Sequence, residues 1–403
     1  MRARLELPIP EAVRPVYDNM LDFIESEVYP REKALEVGPA TDLWHAEMAI
    51  LQNEAKRRGL WALGHPKEVG GGGLSLIDYS YVNEAIGRSL HGLYAVGTAS
   101  FQDALLLHDW ASEELKDRYL VPLVAGEIMS SFSMTEPAVG SSDPRQLETT
   151  AELVGDEWVV NGTKWFTGRA HRSAFATVMA RTEPGVDGRR AFSLLLVPTD
   201  TPGFEIERSV LAMGYDGDHC IVRYHDVRVP ASNIIGQRGG GFLLSQKRLG
   251  PGRISHCMRW LGQALRAYEL MCERAVSREV FGSVLAEKQL IQEMVFMTAA
   301  EIKAHRLMTL EAARLLDQGD AARVDIGTIK VVGAAMVHNA IDRAIQVWGG
   351  AGVTEDLPLE AMYRQARWAR LVDGADEVHK VTVARLLLAP FVAAATEAGE
   401  TPG

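Results

Sequence analysis

Small hydroxyl side chains cluster in the segment SFSMTEPAVGSSD, residues 131–143, around a Glu-Pro turn and a Gly-Ser-Ser-Asp run. Hydroxyls and backbone N–H groups that converge in one place can bind an electron-poor ring system or a carbonyl. Taken alone, this composition is more typical of a Ser-rich surface loop. A second segment, NGTKWFTG at residues 161–168, places two aromatic side chains beside a hydroxyl at the end of a predicted strand. What these segments can do depends on the elements that position them.

Three zones of different hydrophobic period position these segments. Residues 10–125 carry apolar side chains at helical spacing, and this spacing returns from about residue 240 onward. Between them the period changes to two, with a hairpin predicted to turn at Gly155-Asp156. Long helices with apolar faces and short loops pack as a bundle. The sequence therefore predicts an α+β, mainly α protein with an N-terminal helical domain (1–125), a central β-barrel or β-sandwich domain (126–235) and a C-terminal four-helix bundle (236–403).

The bulk composition excludes several classes of protein. The 403 residues carry a formal net charge of −11 without a Lys/Arg block, which argues against a nucleic-acid-coating role. The three cysteines form no C-x-x-C pair, and we expect free thiols in a reducing compartment. No secretion signal, membrane-spanning run or zinc-type Cys/His spacing is recognisable, and His219, Cys220 and His225 lie on a strand-like run without a carboxylate partner. We expect a cytoplasmic, metal-free protein that binds neither nucleic acid nor membrane.

The glycine clusters do not match the common nucleotide-binding motifs. Gly70–Gly73, Gly239–Gly241 and the Gly349-Gly350-Ala351-Gly352 run all fail G-x-G-x-x-G, and none lies in a βαβ unit. The chain also lacks a P-loop and a G-x-S-x-G nucleophile elbow. A dinucleotide, if bound, must be held in a non-Rossmann way.

Six motifs taken in order are more specific than any one of them. M-T-E-P…G-S is followed by N-G-x-K-W, a strand ending in D-V-R-V-P, R-x-x-F-G…Q with Gln289 opening a helix alongside Arg278, Phe281 and Gly282, Q-x-x-G-G-x-G, and a carboxylate-Gly element. This series resembles the acyl-CoA dehydrogenase family of flavoproteins and extends from about residue 15 to 390. The resemblance implies the helical, β and four-helix domains of that family and FAD as the cofactor.

The resemblance also implies which residues bind FAD. One group would lie along the flavin or cover its other side near N5: Phe132, Met134, Thr135, Gly140, Ser141, Trp165, Phe166 and Thr167. Because this chain has K-W-F-T where many members have K-x-W-[IV]-T, the stacking aromatic is either Trp165 or Phe166. A second group would reach the FAD of a neighbouring subunit: Arg278, Phe281, Gln289, Gln346, Gly349 and Gly350. Ala375 and Glu377 complete the cofactor set, and the shared site implies a homodimer or homotetramer.

The family's base is usually a glutamate in a Y-E-G-T element, where this chain has Val372-Asp373-Gly374-Ala375. Asp373 lies at the spacing from Gln346 that the resemblance implies, and it is the candidate catalytic base. The aspartate resembles a branch of the family whose vertebrate members are fused to a kinase-like domain. An isolated Asp-Gly can also cap a helix, and Glu377 is the second candidate.

The same resemblance implies three thioester contacts: Ser141, Arg253 and Gly374. Gly250 and Gly252 replace bulkier residues of the family. They would either widen the substrate pocket or shape the start of a helix.

Three functions follow from the resemblance. The first is an FAD-dependent acyl-CoA dehydrogenase of lipid metabolism and fatty acid β-oxidation, which passes its electrons to an electron-transfer flavoprotein. The second is an oxidase of the nitroalkane-oxidase type, which also uses an aspartate base. The third is a non-enzymatic flavoprotein that binds nucleic acid, against which the acidic balance argues.

Overall fold

The computed structural model describes residue 5, residues 8–186 and residues 188–397, with the side chains of 215–217 excepted. Helices, then strands, then helices follow one another along the chain, which confirms the predicted fold class. The helices before the strands are α1 (Arg14–Phe23), α2 (Glu32–Leu35), α3 (Asp42–Arg57), α4 (Leu76–Gly87), α5 (Gly92–Ala95), α6 (Phe101–Trp110), α7 (Glu113–Leu115) and α8 (Val121–Ala125).

One eight-stranded mixed sheet forms the β segment. Its strands are β1 (Ser130–Ser133), β2 (Thr150–Val154), β3 (Glu157–Gly168), β4 (Phe175–Arg181), β5 (Phe192–Pro198), β6 (Phe204–Ala212), β7 (Tyr215–Pro230) and β8 (Ile234–Ile235). The order is β6-β7-β3-β2-β4-β5-β8, with β1 parallel to β4. β2 and β3 pair antiparallel around Gly155-Asp156, as the alternation predicts.

The helices after the sheet are α9 (Gly241–Ser277), α10 (Gln289–Asp317), α11 (Arg323–Trp348), α12 (Leu359–Trp368) and α13 (Asp376–Glu397). Between α9 and α10, β9 (Glu279–Val280) and β10 (Ser283–Val284) pair antiparallel. The expectation that Arg278, Phe281 and Gly282 open a helix is therefore wrong. Phe281 and Gly282 take positive φ values of 47° and 79°, which form a tight turn, and α10 begins at Gln289.

Gly250 and Gly252 do not shape a helix start, and the wider-pocket interpretation is contradicted at Gly252. Both glycines lie inside α9, which begins at Gly241 and continues through Pro251, so they do not shape a helix start. A Cβ on Gly252 would lie 2.4 Å from the side-chain amide carbon of Gln102. The glycine therefore admits Gln102 and does not open free pocket space.

The described chain packs as two compact units. The first contains the chain up to Ile24, Ser75–Gly92 and the chain from Arg253 on. Its core is built by the inward faces of α9, α10 and α11, with Met258, Leu261, Ile302 and Val337 almost fully buried. The second contains Glu25–Leu74 and Leu93–Gly252, with apolar residues packed on both faces of the sheet. Each unit combines separate stretches of the chain, whereas the predicted domains are continuous stretches. The three-domain division therefore stays a prediction.

Among the described helices, two are long and apolar enough to cross a membrane by length and composition: Arg323–Val353 and Asp376–Glu397. In the first, 56% of the most apolar window is buried within the protein, and core helices of soluble proteins pass the same test. In the second, only 6% of that window is buried, so α13 carries an exposed apolar surface.

Candidate active site

Asp373 lies in a strained turn just before α13. Its φ is +54°, a conformation that non-glycine residues seldom adopt, and Gly374 follows with φ +98°. Arg253, on α9, donates from Nε and Nη2 to the carbonyl oxygen of Asp373 at 3.1 and 2.9 Å. His379, on α13, lies with Nε2 3.1 Å from the same oxygen. Two helices thus fix the backbone of this turn and bring Arg253 to Asp373.

The charge states around this turn follow from burial. Burial, assisted by the positive charge of Arg253, lowers the pKa of His379 to about 4, so its ring is neutral at pH 7. Since a carbonyl oxygen only accepts, Nε2 of His379 carries the hydrogen and donates it to Asp373. Burial also lowers the pKa of the Arg253 guanidinium, although the negative charge of Asp373 partly offsets this by raising it. The turn is therefore held by one neutral donor and one cationic donor.

A buried charge cluster anchors the first turn of α13 beside Asp373. Asp376 lies 3.1 Å from Nζ of Lys330 and accepts from Nε of Arg370 at 2.8 Å. Burial alone raises the pKa of Asp376, but hydrogen bonds from Arg370 and Lys330 outweigh it and lower that pKa. Asp376 therefore serves as the ionised anchor of the helix. Glu377 is exposed, and Ala375 is half-buried between the turn and the helix.

The carboxylate of Asp373 lies beside a further residue of α9, and its Oδ2 is buried. Oδ2 lies 3.3 Å from Nε2 of His256, and the two side chains are 20% and 29% exposed. His256 follows Arg253 by three positions on α9, so the two residues share one face of the helix. Sequence reasoning missed His256, although its spacing from Arg253 was the available signal. A partly exposed carboxylate on a fixed backbone can act as a general base.

In the second unit, a buried ion pair joins the M-T-E-P and N-G-x-K-W segments. Lys164 donates from Nζ to Glu136 Oε1 at 2.8 Å and to the Met134 carbonyl at 2.9 Å. Glu136 also accepts from the backbone N–H groups of Glu148 and Thr149 at 2.7 and 3.0 Å. Burial raises the pKa of Glu136, but Lys164 outweighs it and the net shift is downward, whereas burial lowers the pKa of Lys164 to about 8. This pair fixes the loop after β1 against β3.

Hydroxyl groups behind this loop are used within the fold. Thr167 is fully buried with Oγ1 2.9 Å from Ser133 Oγ, which also accepts from Tyr224 Oη at 2.8 Å. Ser141 accepts from the Glu136 N–H at 2.9 Å and donates to the Glu136 carbonyl at 3.0 Å. The side chains of Thr167 and Ser141 thus shape the loop, and Gly140 lies exposed beside Ser141.

Trp165 and Phe166 form an aromatic step at the end of β3. Their rings stack with centroids 4.6 Å apart, and Phe166 has φ +55° at an irregularity in the β3–β7 pairing. The backbone N–H of Trp165 donates to the Thr135 carbonyl at 2.7 Å, which joins the aromatic step to the hydroxyl-rich segment at residues 131–143. Phe166 is 39% exposed, and the buried Trp165 Nε1 has no hydrogen-bond partner within the described part of the chain. An exposed aromatic face beside an unsatisfied N–H fits a flat heteroaromatic ring.

Phe132 precedes this loop on β1. The Arg248 guanidinium lies 3.9 Å from the centre of its ring. Phe132, Met134, Thr135, Trp165, Phe166 and Thr167 are therefore brought together along β1 and the end of β3.

The remaining predicted cofactor residues lie at the surface of the first unit. Phe281 is fully exposed at the tip of the β9–β10 hairpin, and Arg278 precedes it, also exposed. Gln346, Gly349 and Gly350 are exposed where α11 ends, and Gln289 is exposed at the start of α10. Across the residues that the structure describes, no group of three or more His, Cys, Asp or Glu side chains could hold a metal ion.

The sequence matches known protein-family models along most of its length. Three family models match consecutive parts of the chain: the acyl-CoA dehydrogenase N-terminal domain at residues 10–127, the middle domain at 131–227 and the C-terminal domain at 239–388.

Individual relatives agree with the family models. Acyl-CoA dehydrogenase family member 10 of Mus musculus is 39% identical over 94% of this chain, which spans only 37% of that relative. "Probable acyl-CoA dehydrogenase FadE2" of Mycobacterium tuberculosis is 40% identical over 93% of this chain and 96% of its own length. A solved Mycobacterium abscessus structure that carries the same family name has a TM-score of 0.90 and 37% identity, covering 96% of this chain and 100% of that one.

Proposed function

The chain belongs to the acyl-CoA dehydrogenase family of FAD-dependent oxidoreductases, and from this premise we propose that it desaturates an acyl-CoA thioester to the 2,3-enoyl-CoA, with Asp373 as the base that removes the Cα proton. FAD, when bound, supplies the acceptor at N5 for the hydride that leaves Cβ. The observation that carries this proposal is the Asp373 turn, whose carbonyl is fixed by Arg253 and His379 while its carboxylate stays partly exposed.

The geometry of the turn supports an aspartate in a role that a glutamate usually has in the family. An aspartate is one methylene shorter, and Å-scale misplacement of a catalytic group costs about 10²-fold in rate. The left-handed backbone at Asp373 and two donors on its carbonyl set where the shorter side chain begins. Glu377 is the weaker candidate, because it projects from the exposed face of α13.

Substrate contacts are proposed around the same turn and on the loop after β1. The Asp373 backbone N–H would donate to the thioester carbonyl, which lowers the barrier to removal of the Cα proton. Gly374 and Arg253 adjoin Asp373, and Ser141 closes the loop through Glu136. The hydroxyl of Ser141 is already hydrogen-bonded there, so we propose that it contacts substrate through a remaining lone pair or through its backbone.

The residues present fit a flavin. The exposed Phe166 ring and the unsatisfied indole N–H of Trp165 lie at the end of β3. Met134 and Thr135 lie on the adjoining segment. We propose that this step holds the isoalloxazine ring together with Phe132, Gly140, Ser141 and Thr167. In the first unit, we propose Ala375 and Glu377 as further residues that bind the cofactor.

A second copy of the chain would complete the cofactor site. Phe281 is fully exposed, and Arg278 and Gln346 are exposed, which suits residues that bind the FAD of a neighbouring subunit through an arginine fork and backbone groups. α13 also exposes Leu387, Leu388 and Phe391 by 55%, 57% and 74%. We therefore propose a homodimer or homotetramer. We further propose that the protein passes its electrons to an electron-transfer flavoprotein, works in fatty acid β-oxidation and resides in the cytoplasm.

One observation favours a second candidate function. An aspartate base is also used by the nitroalkane-oxidase relatives, which oxidise a small carbon acid with oxygen and without CoA. The partly exposed Asp373 carboxylate would serve that reaction equally well.

An anaerobic titration tests the dehydrogenase against the oxidase. The FAD-loaded protein is mixed with a panel of acyl-CoA thioesters that differ in chain length, branching and hydroxylation, and flavin absorbance is followed. We expect at least one thioester to bleach the flavin. If no thioester does so while a nitroalkane bleaches it and consumes oxygen in air, the oxidase is the correct function. If neither class reduces the flavin, both assignments fail, and salt-dependent retention of DNA would then favour the nucleic-acid-binding flavoprotein.

A further inference from the structure

His256, on α9, lies against the Asp373 carboxylate itself, with Nε2 3.3 Å from Oδ2. We propose that His256 is a positioning residue for the Asp373 base: its Nε2–H donates to Oδ2, fixes the carboxylate rotamer and leaves Oδ1 for the substrate proton. This role rests on the proposed dehydrogenase function. Catalytic hydrogen bonds are often long in the free enzyme and shorten when substrate binds, so 3.3 Å suits this role.

The protonation of the His256 ring follows from Arg259 on the same helix. Nη2 of Arg259 lies 2.9 Å from Nδ1 of His256. A guanidinium has only donors, so Nδ1 must be the nitrogen that accepts. In the neutral ring the hydrogen then belongs on Nε2, which is the nitrogen that faces Asp373. Arg259 thereby selects the tautomer that can donate to the base, as second contacts commonly do for functional histidines.

Arg259 is itself held from behind. Its Nη1 donates to Ser255 Oγ at 2.8 Å, and Asn83 of α4 donates from Nδ2 to the same oxygen at 2.8 Å. Asn83 is fully buried, so this end of the chain of contacts is rigid. A Cβ on Gly87 would lie 2.3 Å from the Cα of Arg259, which shows how closely α4 packs on α9 here. A continuous line of polar contacts thus runs from the buried α4 through α9 to the carboxylate.

The two ends of Asp373 therefore have separate supports. Arg253 and His379 hold its carbonyl oxygen, which fixes the backbone but does not by itself set the side-chain torsions. His256 is the group that restrains those torsions. Because an aspartate side chain is short, a change of rotamer moves its oxygens by ångströms, and such a displacement costs about 10²-fold in rate.

Substitutions of His256 by Gln and Asn test this role with a matched pair. The Gln amide nitrogen can occupy the place of Nε2 and donate to Asp373, whereas the shorter Asn amide reaches only the place of Nδ1. We expect His256→Asn and His256→Leu to lower the rate of anaerobic flavin reduction by about 10- to 100-fold, with little change in the acyl-CoA concentration for half-saturation. We expect His256→Gln to recover most of the rate.

Controls separate positioning from folding. His338→Leu is the control. His338 lies on α11 of the same unit, and its ring packs against Tyr363 of α12. This variant should show the wild-type rate of flavin reduction. FAD content and the thermal midpoint are measured for every variant, and Arg259→Met combined with His256→Leu should be no slower than His256→Leu alone.

Two results would overturn the assignment of His256. Wild-type rates in FAD-loaded His256→Asn would do so. A rate of flavin reduction in His256→Gln as low as that in Asp373→Asn would also do so, because it would indicate that His256 is itself the base. Absence of bleaching by every acyl-CoA in the wild type would instead contradict the proposed function.

Discussion

Glu136 and Lys164 lie 28 residues apart in the chain and form a buried ion pair with Nζ 2.8 Å from Oε1. The pair joins two segments that the sequence resemblance assigns to flavin binding. Glu136 also receives two backbone N–H groups, so the loop after β1 depends on its charge.

Replacing Glu136 by Gln should destabilise the protein and weaken FAD binding together. It would leave the Lys164 ammonium buried without its counter-charge, which costs about 3–5 kcal/mol. Urea unfolding and the FAD-to-protein ratio measure the two effects. The matched control is Glu157→Gln, which removes an exposed pair with Arg228 and should change stability by about 0.5 kcal/mol or less. Equal stability of the two variants would contradict a structural role for the buried pair.

Stability should fall in mild acid because of His65. Burial lowers the pKa of His65 to about 4 in the folded protein, from an ordinary value of 6.5. The unfolded chain therefore binds a proton that the folded chain refuses between pH 6.5 and pH 4. Stability is full above pH 6.5 and declines by about 3 kcal/mol as the pH falls to 4.

His65→Gln should remove that part of the pH slope in urea unfolding. A His65→Gln protein whose slope equals that of the wild type would contradict the assignment.

Arg253→Lys should slow flavin reduction while the protein keeps its fold and FAD. Lysine preserves the charge but is a single-point donor, whereas Arg253 holds the Asp373 carbonyl with two nitrogens. A loosened turn should lower the rate by about tenfold or more, measured by anaerobic stopped-flow mixing with an acyl-CoA that bleaches the wild type. Arg364→Lys, which alters an ion pair within α12, serves as the control. Equal rates for both variants would show that the two-nitrogen contact is unimportant.

Phe281→Asp should lower both FAD content and oligomer mass. The ring is fully exposed at the tip of the β9–β10 hairpin, where a neighbouring subunit's cofactor would cover it. Phe281→Tyr keeps the ring and should retain FAD. Light scattering coupled to size-exclusion chromatography gives the mass, and absorbance gives the flavin. Full FAD occupancy at unchanged mass in Phe281→Asp would place this residue outside any shared site.

The sequence predicted those elements whose signals are local. Alternation around Gly155-Asp156 gave the β2–β3 hairpin, and the helical stripe through Met258 and Leu261 gave α9. It failed where tertiary packing decides. Gly252 lies inside α9, where the Gln102 side chain occupies the place of a Cβ, although glycines beside Pro251 favour a helix start in isolation.

The candidate site was predicted only in part for the same reason. Asp373 and Arg253 were identified by resemblance, but the left-handed backbone at Asp373 is imposed by Arg253 and His379 from two helices. The three-residue spacing of His256 from Arg253 is the only local signal for His256, and it does not reveal the carboxylate partner, which lies far along the chain. The sequence predicts a helix at Phe281 where the structure has a hairpin, because two-residue strands are too short to show an alternating pattern.

The identity of the base is the central claim, and Asp373→Asn tests it most directly. Asparagine has almost the same shape but cannot take a proton, so FAD content and thermal midpoint should stay near wild type. The rate of anaerobic flavin reduction by an active acyl-CoA should fall by about 10²- to 10⁴-fold, the usual contribution of a general base. Glu377→Gln, measured in parallel on FAD-loaded protein, should lose far less rate than Asp373→Asn. A near-normal rate in Asp373→Asn, or a loss confined to Glu377→Gln, would contradict the account.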